Sequence, residues 1–356
     1  MYPVKIYAFG ESTFQGYHAT DGGEPHDESA YAVPIVVKDT ISNAGVSCAV
    51  TNHAADMNSL AENASGHNAF MSTSDLIVLI NSGLNDAYDD TVSSFMTTLK
   101  SLINEARQAG KIAVIQSPNT VTQTWSSRVN TIRSYINSSL AGSLGVRVET
   151  NSQTNSAFDG THPDADGYTA MATALTTSSS LMSPAAVKMI GLAEVVTRIY
   201  IAGLARGPEQ SGLDYWVGEL LASTKTETQV AEFVVAANTA FDSMTDAQFV
   251  SAIYQNLFND GSADPTGQAY WVSKLSTVSR GQDALDITIA SVDYPGSDEQ
   301  ALTRQRCFNN KIKMGLAYGL CARNNTVMNT STMSAITDAY STVTSYTSGL
   351  FPALPD

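Results

Sequence analysis

Five short runs of apolar, largely β-branched residues recur through the first half of the chain: Val4–Phe9, Val46–Thr51, Asp75–Ile80, Lys111–Gln116 and Gly145–Glu149. Longer amphipathic stretches separate them. This alternation is the pattern of βαβ units, because parallel strands can be joined only by a crossover, usually a helix. Between the third and fourth runs, Thr91–Ala109 places Val92, Phe95, Met96, Leu99, Leu102 and Ile103 at helical spacing, which suits such a crossover. The first half is therefore expected to be an open, doubly wound α/β domain with a five-stranded parallel sheet. If the strand order is the flavodoxin-like 2-1-3-4-5, the carboxyl ends of the first and third strands share the crevice where the order reverses, which is where ligands bind in such sheets.

From about Ser183 onward the strand-like runs vanish and Ala-rich helical periodicity takes over. An internal repeat lies within this half: Arg198-Ile199-Tyr200 with Gly212-Leu213-Asp214-Tyr215-Trp216-Val217 returns as Ala252-Ile253-Tyr254 with Gly267-Gln268-Ala269-Tyr270-Trp271-Val272. Repeated helical units bury a shared core by stacking, so a C-terminal all-α domain of two similar copies is expected. The expected division is 1–182, 183–329 and a Ser/Thr-rich tail over 330–356, in keeping with two or three domains for 356 residues.

Charge narrows the function. Thirty-four acidic against 19 basic residues give a net charge of −15, which repels phosphate backbones and disfavours nucleic-acid or anionic-membrane binding. No apolar stretch has the unbroken ~20 residues that a membrane-spanning helix needs. Cys48, Cys307 and Cys321 cannot all pair internally and read as small buried hydrophobes. The opening MYPVKIYAFGES lacks a basic stretch followed by an apolar one, so no signal peptide is read. Charged residues are only 15% of the chain, and its polar, Ser/Thr-rich coat suits an extracellular or virion-associated setting.

The strand ends carry the chemistry. The first strand runs into Gly10-Glu11-Ser12-Thr13, the third into Asn81-Ser82-Gly83-Leu84-Asn85-Asp86, and Asp159-Gly160-Thr161-His162-Pro163 follows the fifth. Acyl transfer needs a nucleophile, a base, a group that orients the base and donors for the oxyanion. Ser12, His162, Asp159 and Asn85 are residues of those types at those loop positions. An Asp-x-x-His spacing lets one short turn hold the carboxylate near imidazole Nδ1 and leaves Nε2 for the serine. Plainer readings stand beside these: Ser12 as a helix N-cap, Asn85 as a turn residue, His162 as a loop histidine.

Gly10-Glu11-Ser12, Gly83-Leu84-Asn85-Asp86 and Asp159-Gly160-Thr161-His162 resemble the first, third and fifth sequence blocks of the SGNH (GDSL-type) hydrolases. Asp75 and the apolar run after it, Ser117-Pro118-Asn119 and Asp166-Gly167-Tyr168 are similar to that family too. The resemblance covers residues 1–180 and implies a three-layer α/β/α sandwich whose members hydrolyse esters, often acetyl esters of carbohydrates, without metal or organic cofactor. It implies Ser12 as nucleophile, His162 as general base, Asp159 as its orienting carboxylate and Asn85 as a side-chain oxyanion donor. Ser12 and Met57 would supply backbone N–H groups to the same oxyanion hole. Two departures stand out. Glu11 replaces the commoner Asp, and Asn52-His53-Ala54-Ala55-Asp56-Met57 puts Met57 where the second block has glycine, so a side chain could forbid the backbone angle that glycine would take.

The function expected from the sequence is thus a serine esterase acting on an acylated polysaccharide or oligosaccharide. The rival is a non-catalytic glycan-binding or phage tail structural protein on a hydrolase fold. His18, Glu24, His26, Asp27 and Glu28 read as a solvated or substrate-rim loop, and Asp260, Ser262 and Asp264 start like a calcium loop that no distal acid completes. Trp216 and Trp271 read as core packing more readily than as sugar platforms. Around them, Gly-Leu-Asp-Tyr-Trp and Asp264-Pro265-x-Gly267-x-x-Tyr270-Trp271 resemble repeats of a domain family of unknown function appended to bacterial surface, secreted and phage structural proteins. That half is expected to be an attachment module for a phage tail, a cell surface or a glycan.

Overall fold

A computed structural model describes residues 3–17, 29–65, 75–151, 159–177, 180, 182–261, 265–292 and 294–356. The chain divides into two units, the first comprising 1–107, 111–191 and 352–356, the second 108–110 and 192–351.

In the first unit, β1 (Val4–Gly10), α1 (Ser12–Gln15), α2 (Val33–Asn43), β2 (Cys48–Asn52), α3 (Leu60–Ser65), β3 (Ile77–Asn81), α4 (Leu84–Tyr88) and α5 (Val92–Gln108) follow in order. Next come β4 (Ile112–Gln116), α6 (Ser126–Ser134), β5 (Val146–Glu149) and α7 (Ala165–Thr176). The sheet is parallel in every pairing, with order β2-β1-β3-β4-β5. All five expected strands form, each starting one or two residues late except the first. β3 and β4 are buried along their whole length, as an unbroken apolar run requires when helices cover both faces. Tyr7, Phe9, Val78, Ile80, Ala113 and Ile115 pack with Phe95, Leu99 and Ile103 of α5 on one face. Strand alternation turns Ile6, Ala8, Leu79 and Val114 to the other face, where α2 and α7 pack together through buried Val37, Ile41, Tyr168 and Met171. Gly10 pairs with Asn81, which levels the ends of β1 and β3. A Cβ at Gly10 would lie 2.7 Å from the Asn81 carbonyl oxygen and 2.8 Å from the Phe14 ring, so only glycine fits this crossing.

The end of the chain differs from the expected tail. α15 (Thr330–Ser334) and α16 (Ser341–Thr347) form within it, and its last five residues belong to the first unit. Leu354 joins the core beside α5. Buried Arg107 donates through Nη2 to the Pro352 carbonyl at 2.7 Å, and Tyr135 Oη donates to that of Pro355 at 3.2 Å. The compositional change near residue 183 marks the start of α8 (Pro184–Leu204), and the division of units falls two turns inside that helix, after Gly191.

The second unit continues with α9 (Gln210–Leu221), α10 (Glu227–Ala236), α11 (Asp246–Phe258), α12 (Pro265–Lys274), α13 (Arg280–Val292) and α14 (Glu299–Leu316). α10 and α13 pack against each other and start alike, the Thr226 and Ser279 hydroxyls accepting from the N–H groups of Gln229 and Gln282. One turn on from those caps the match breaks, since Val230 and Asp283 take corresponding positions and both are 0% exposed. Neither carboxylate oxygen of Asp283 has a hydrogen-bond partner among the described residues. Burial pushes its carboxyl up to about 7, the Lys274 ammonium opposing and Asp286 and Asp246 reinforcing the rise. Because the folded pKa exceeds the unfolded one, the folded protein holds a proton that the unfolded chain has lost between pH 4 and 7. Stability should therefore fall as pH rises through that window. Asp283→Val is expected to stabilise by of order 2–4 kcal/mol at pH 8 and by much less at pH 4. Thermal unfolding at the two pH values checks this, and an equal gain at both would refute it.

Candidate active site

The strand-order reversal between β1 and β3 assembles the polar groups of three distant loops. Ser12 opens α1 directly after β1, and it is not the cap of that helix, because Glu11 holds the N-cap position. The Ser12 hydroxyl instead lies 2.7 Å from His162 Nε2, and the side chain is almost wholly buried. His162 Nδ1 lies 2.6 Å from Asp159 Oδ2. A carboxylate partner on Nδ1 fixes the proton there, so Nε2 is the acceptor that faces the serine O–H.

The Asp-x-x-His turn is built as its spacing predicts. Asp159 Oδ1 accepts the N–H groups of Thr161 and His162, both at 2.8 Å, while Oδ2 takes the imidazole. Burial would raise this carboxyl, but the bonds from the His162 side chain and backbone and from Thr161 hold it well below the usual carboxylate range. It therefore stays ionised in the neutral pH range. The segment after β4 clamps the turn from outside. Asn119 Nδ2 donates to the Thr161 carbonyl at 2.7 Å, and Gln123 Nε2 to that of Asp159 at 2.7 Å. Gly160 sits at φ 77, where a Cβ would come within 2.8 Å of both Gln123 and Thr122. The Tyr17 ring leans on His162 with centroids 4.8 Å apart, and the Tyr17 carbonyl is held by Tyr168 Oη at 2.8 Å.

Asn85 lies in the first turn of α4, and its placement depends on Glu11. The Glu11 carboxylate is fully buried and accepts the N–H of Leu84 at 2.8 Å through one oxygen and that of Asn85 at 3.0 Å through the other. Burial pushes Glu11 up to about 8 against the lowering effect of the Asn85, Leu84 and Gly83 N–H groups. The residue next to the candidate nucleophile thus anchors the loop that carries the candidate oxyanion donor. Asn85 Nδ2 donates one hydrogen to the Asn58 carbonyl at 3.0 Å. An amide nitrogen carries two, so one remains for a ligand. Asn58 Nδ2 donates to Asn63 Oδ1 at 3.1 Å and Asn63 Nδ2 to the Gly10 carbonyl at 3.0 Å, which returns the network to β1. Sequence reasoning passed over Asn58, Asn63 and Gln123, for which no local pattern is a signal.

Met57 takes φ 61, so the side chain does not forbid the left-handed angle that a glycine would occupy. The residue is 74% exposed. The Met57 N–H is engaged by Asp56 Oδ1 at 2.8 Å, whereas the Ser12 N–H has no partner among the described residues. Met57→Gly is expected to stabilise by up to about 1 kcal/mol, the left-handed cost removed being partly offset by glycine's entropy. Chemical unfolding checks this, and a loss of stability would show that the Met57 side chain supports the turn.

His18, Glu24, His26, Asp27 and Glu28 lie outside the described residues, as do Ser262 and Asp264. Asp260 accepts from Arg304 Nε and Nη2 at 3.0 and 2.6 Å. Among the described residues no cluster of three His, Cys, Asp or Glu is placed to hold a metal ion, and no helix is long and apolar enough to cross a membrane.

A family profile described as a domain of unknown function (DUF4214) matches residues 232–288. No curated protein matches the chain. Among solved structures, a member of the lipolytic protein G-D-S-L family from Veillonella parvula is 16% identical, with 49% of this chain and 97% of that one covered and a TM-score of 0.39. A family two carbohydrate esterase from Clostridium thermocellum is 18% identical, covering 49% and 63% with a TM-score of 0.38. A carbohydrate acetylesterase from Sinorhizobium meliloti is 13% identical, covering 48% and 95% with a TM-score of 0.38.

Proposed function

We propose that the chain is a serine esterase that removes O-acyl groups, acetyl foremost, from a carbohydrate. The observation that carries this reading is the unbroken relay from Asp159 through His162 to the Ser12 hydroxyl, with bonds of 2.6 and 2.7 Å. Ser12 Oγ attacks the acyl carbonyl carbon while Nε2 takes its proton, and the tetrahedral oxyanion is met by the Ser12 N–H and the second hydrogen of Asn85 Nδ2. Collapse expels the sugar oxygen, which leaves with the proton from Nε2. Water, deprotonated by the same nitrogen, then releases the acid and restores the serine. The near-complete burial of Ser12 supports a small acyl group.

The non-catalytic reading, a glycan-holding or tail structural protein on this fold, has no use for a hydroxyl bonded to an imidazole whose other nitrogen is held by an ionised carboxylate. Hydrolysis of 4-nitrophenyl acetate by the full chain is the primary test, and release of acetate from acetylated xylo-oligosaccharides tests the carbohydrate part. No turnover above background by folded protein would overturn the esterase reading. Turnover of the aryl ester alone would overturn the carbohydrate assignment.

A further inference from the structure

The second unit contains a cavity of about 170 Å³ between α11, α12, α13 and α14. Its walls are aromatic: Tyr254 and Phe258 from α11, Trp271 from α12, and Tyr294 from the segment after α13. Arg304 and Gln305 of α14 supply the polar side. It is smaller than the roughly 300 Å³ at which drug-sized sites begin.

An aromatic box of this kind has three candidate occupants, and the charges decide among them. A quaternary ammonium would suit the rings alone. The Lys274 ammonium, however, lies 4.9 Å from the Trp271 ring centre, tied to Asp286 at 2.7 Å, and the Arg304 guanidinium forms part of the wall. Each of these cations is already paired with a carboxylate, and no carboxylate is among the described residues that line the cavity to meet a quaternary ammonium. An anion gains little in turn, because Arg304 is already neutralised by Asp260 through two of its nitrogens. What remains is a neutral molecule with an apolar face for the rings and hydroxyls for the polar side. Gln305 Nε2 gives one hydrogen to the Val292 carbonyl at 3.1 Å, which leaves its second hydrogen as a donor and Oε1 as an acceptor for a hydroxyl.

We infer that this cavity is a binding site for a single neutral pyranose unit, stacked among Trp271, Tyr254 and Tyr294 and hydrogen-bonded by Gln305. The inference is independent of the hydrolytic reading of the first unit. One feature of the wall supports it. Tyr294 rests on the backbone of Gly296, where a Cβ would come within 2.3 Å of the phenol oxygen. Glycine at 296 therefore permits the ring position on the cavity wall.

The test uses the full chain and the methyl glycosides of glucose, galactose, mannose and N-acetylglucosamine, followed by saturation-transfer NMR and tryptophan fluorescence. At least one glycoside is expected to bind saturably. Tyr294→Ala is expected to weaken that binding at least tenfold, with 4-nitrophenyl acetate turnover unchanged. Gly296→Ala, which displaces the ring without removing it, should weaken binding by a smaller factor and serves as the second variant if Tyr294→Ala does not fold. Absence of binding by all four sugars, or affinity unchanged in both variants, overturns the proposal. So does tighter binding of tetramethylammonium than of any sugar, because the site would then be a cation cage.

Discussion

Ser12→Ala should reduce ester turnover by about 10⁴–10⁶-fold and abolish covalent labelling by a serine-directed phosphonate, leaving the circular dichroism spectrum of the native protein. His162→Ala should lower turnover by a similar factor, because nucleophile and base act as one unit and removing either removes the attack. The double variant should be scarcely worse than either single one. This non-additivity is the decisive measurement, since two independent binding residues would multiply their effects. Folding should survive: Ser12 Oγ makes its bond to His162 and caps nothing, so the serine change removes one buried hydrogen bond, worth about 1 kcal/mol. A Ser12→Ala protein that keeps more than a tenth of the wild-type rate would remove Ser12 from the reaction and leave the fold as a scaffold for something else.

The sheet was legible because its central strands must be apolar on both faces. Val78, Leu79 and Ile80 admit no other role in a doubly wound domain, and β3 is buried throughout. The relay was legible for a different reason. Ser12 and His162 are 150 residues apart, yet both follow strands of one parallel sheet, whose carboxyl ends all lie on the same side. The supporting shell was not legible, because nothing local to it signals a partner. Glu11 reads as a variant of a commoner Asp, and only the fold shows its carboxylate reaching N–H groups more than 70 residues away. The angle of Met57 was an open matter in the sequence, since a non-glycine residue takes φ 61 only at a local cost that the rest of the fold must outweigh. The end of the chain misled for a related reason. Pro352–Asp356 offers one apolar side chain, Leu354, and its docking is settled by the guanidinium of Arg107 and the phenol of Tyr135, both distant in sequence.

Asn85→Ala should lower kcat by about 10²–10³-fold with little change in KM, the signature of a donor that acts on the oxyanion and not on the ground-state ester. The geometry makes this a clean test. Asn85 is held from the backbone by Glu11 and through one amide hydrogen by the Asn58 carbonyl, so truncation at Cβ leaves α4 anchored and removes the side-chain donor. The Met57 N–H offers no ready replacement, being bonded to Asp56 at 2.8 Å. Asn85→Asp should be more damaging than Asn85→Ala, because a carboxylate of nearly the same shape would face both the developing oxyanion and the Asn58 carbonyl without a proton to give. If Asn85→Ala keeps its kcat, the oxyanion is met elsewhere. The Ser12 N–H would then need a second partner, and release of Met57 from Asp56 would be the movement to look for. That alternative has its own consequence: Asp56→Ala, which frees the Met57 N–H, would raise kcat whether or not Asn85 is present, whereas a hole built from Ser12 and Asn85 predicts no change.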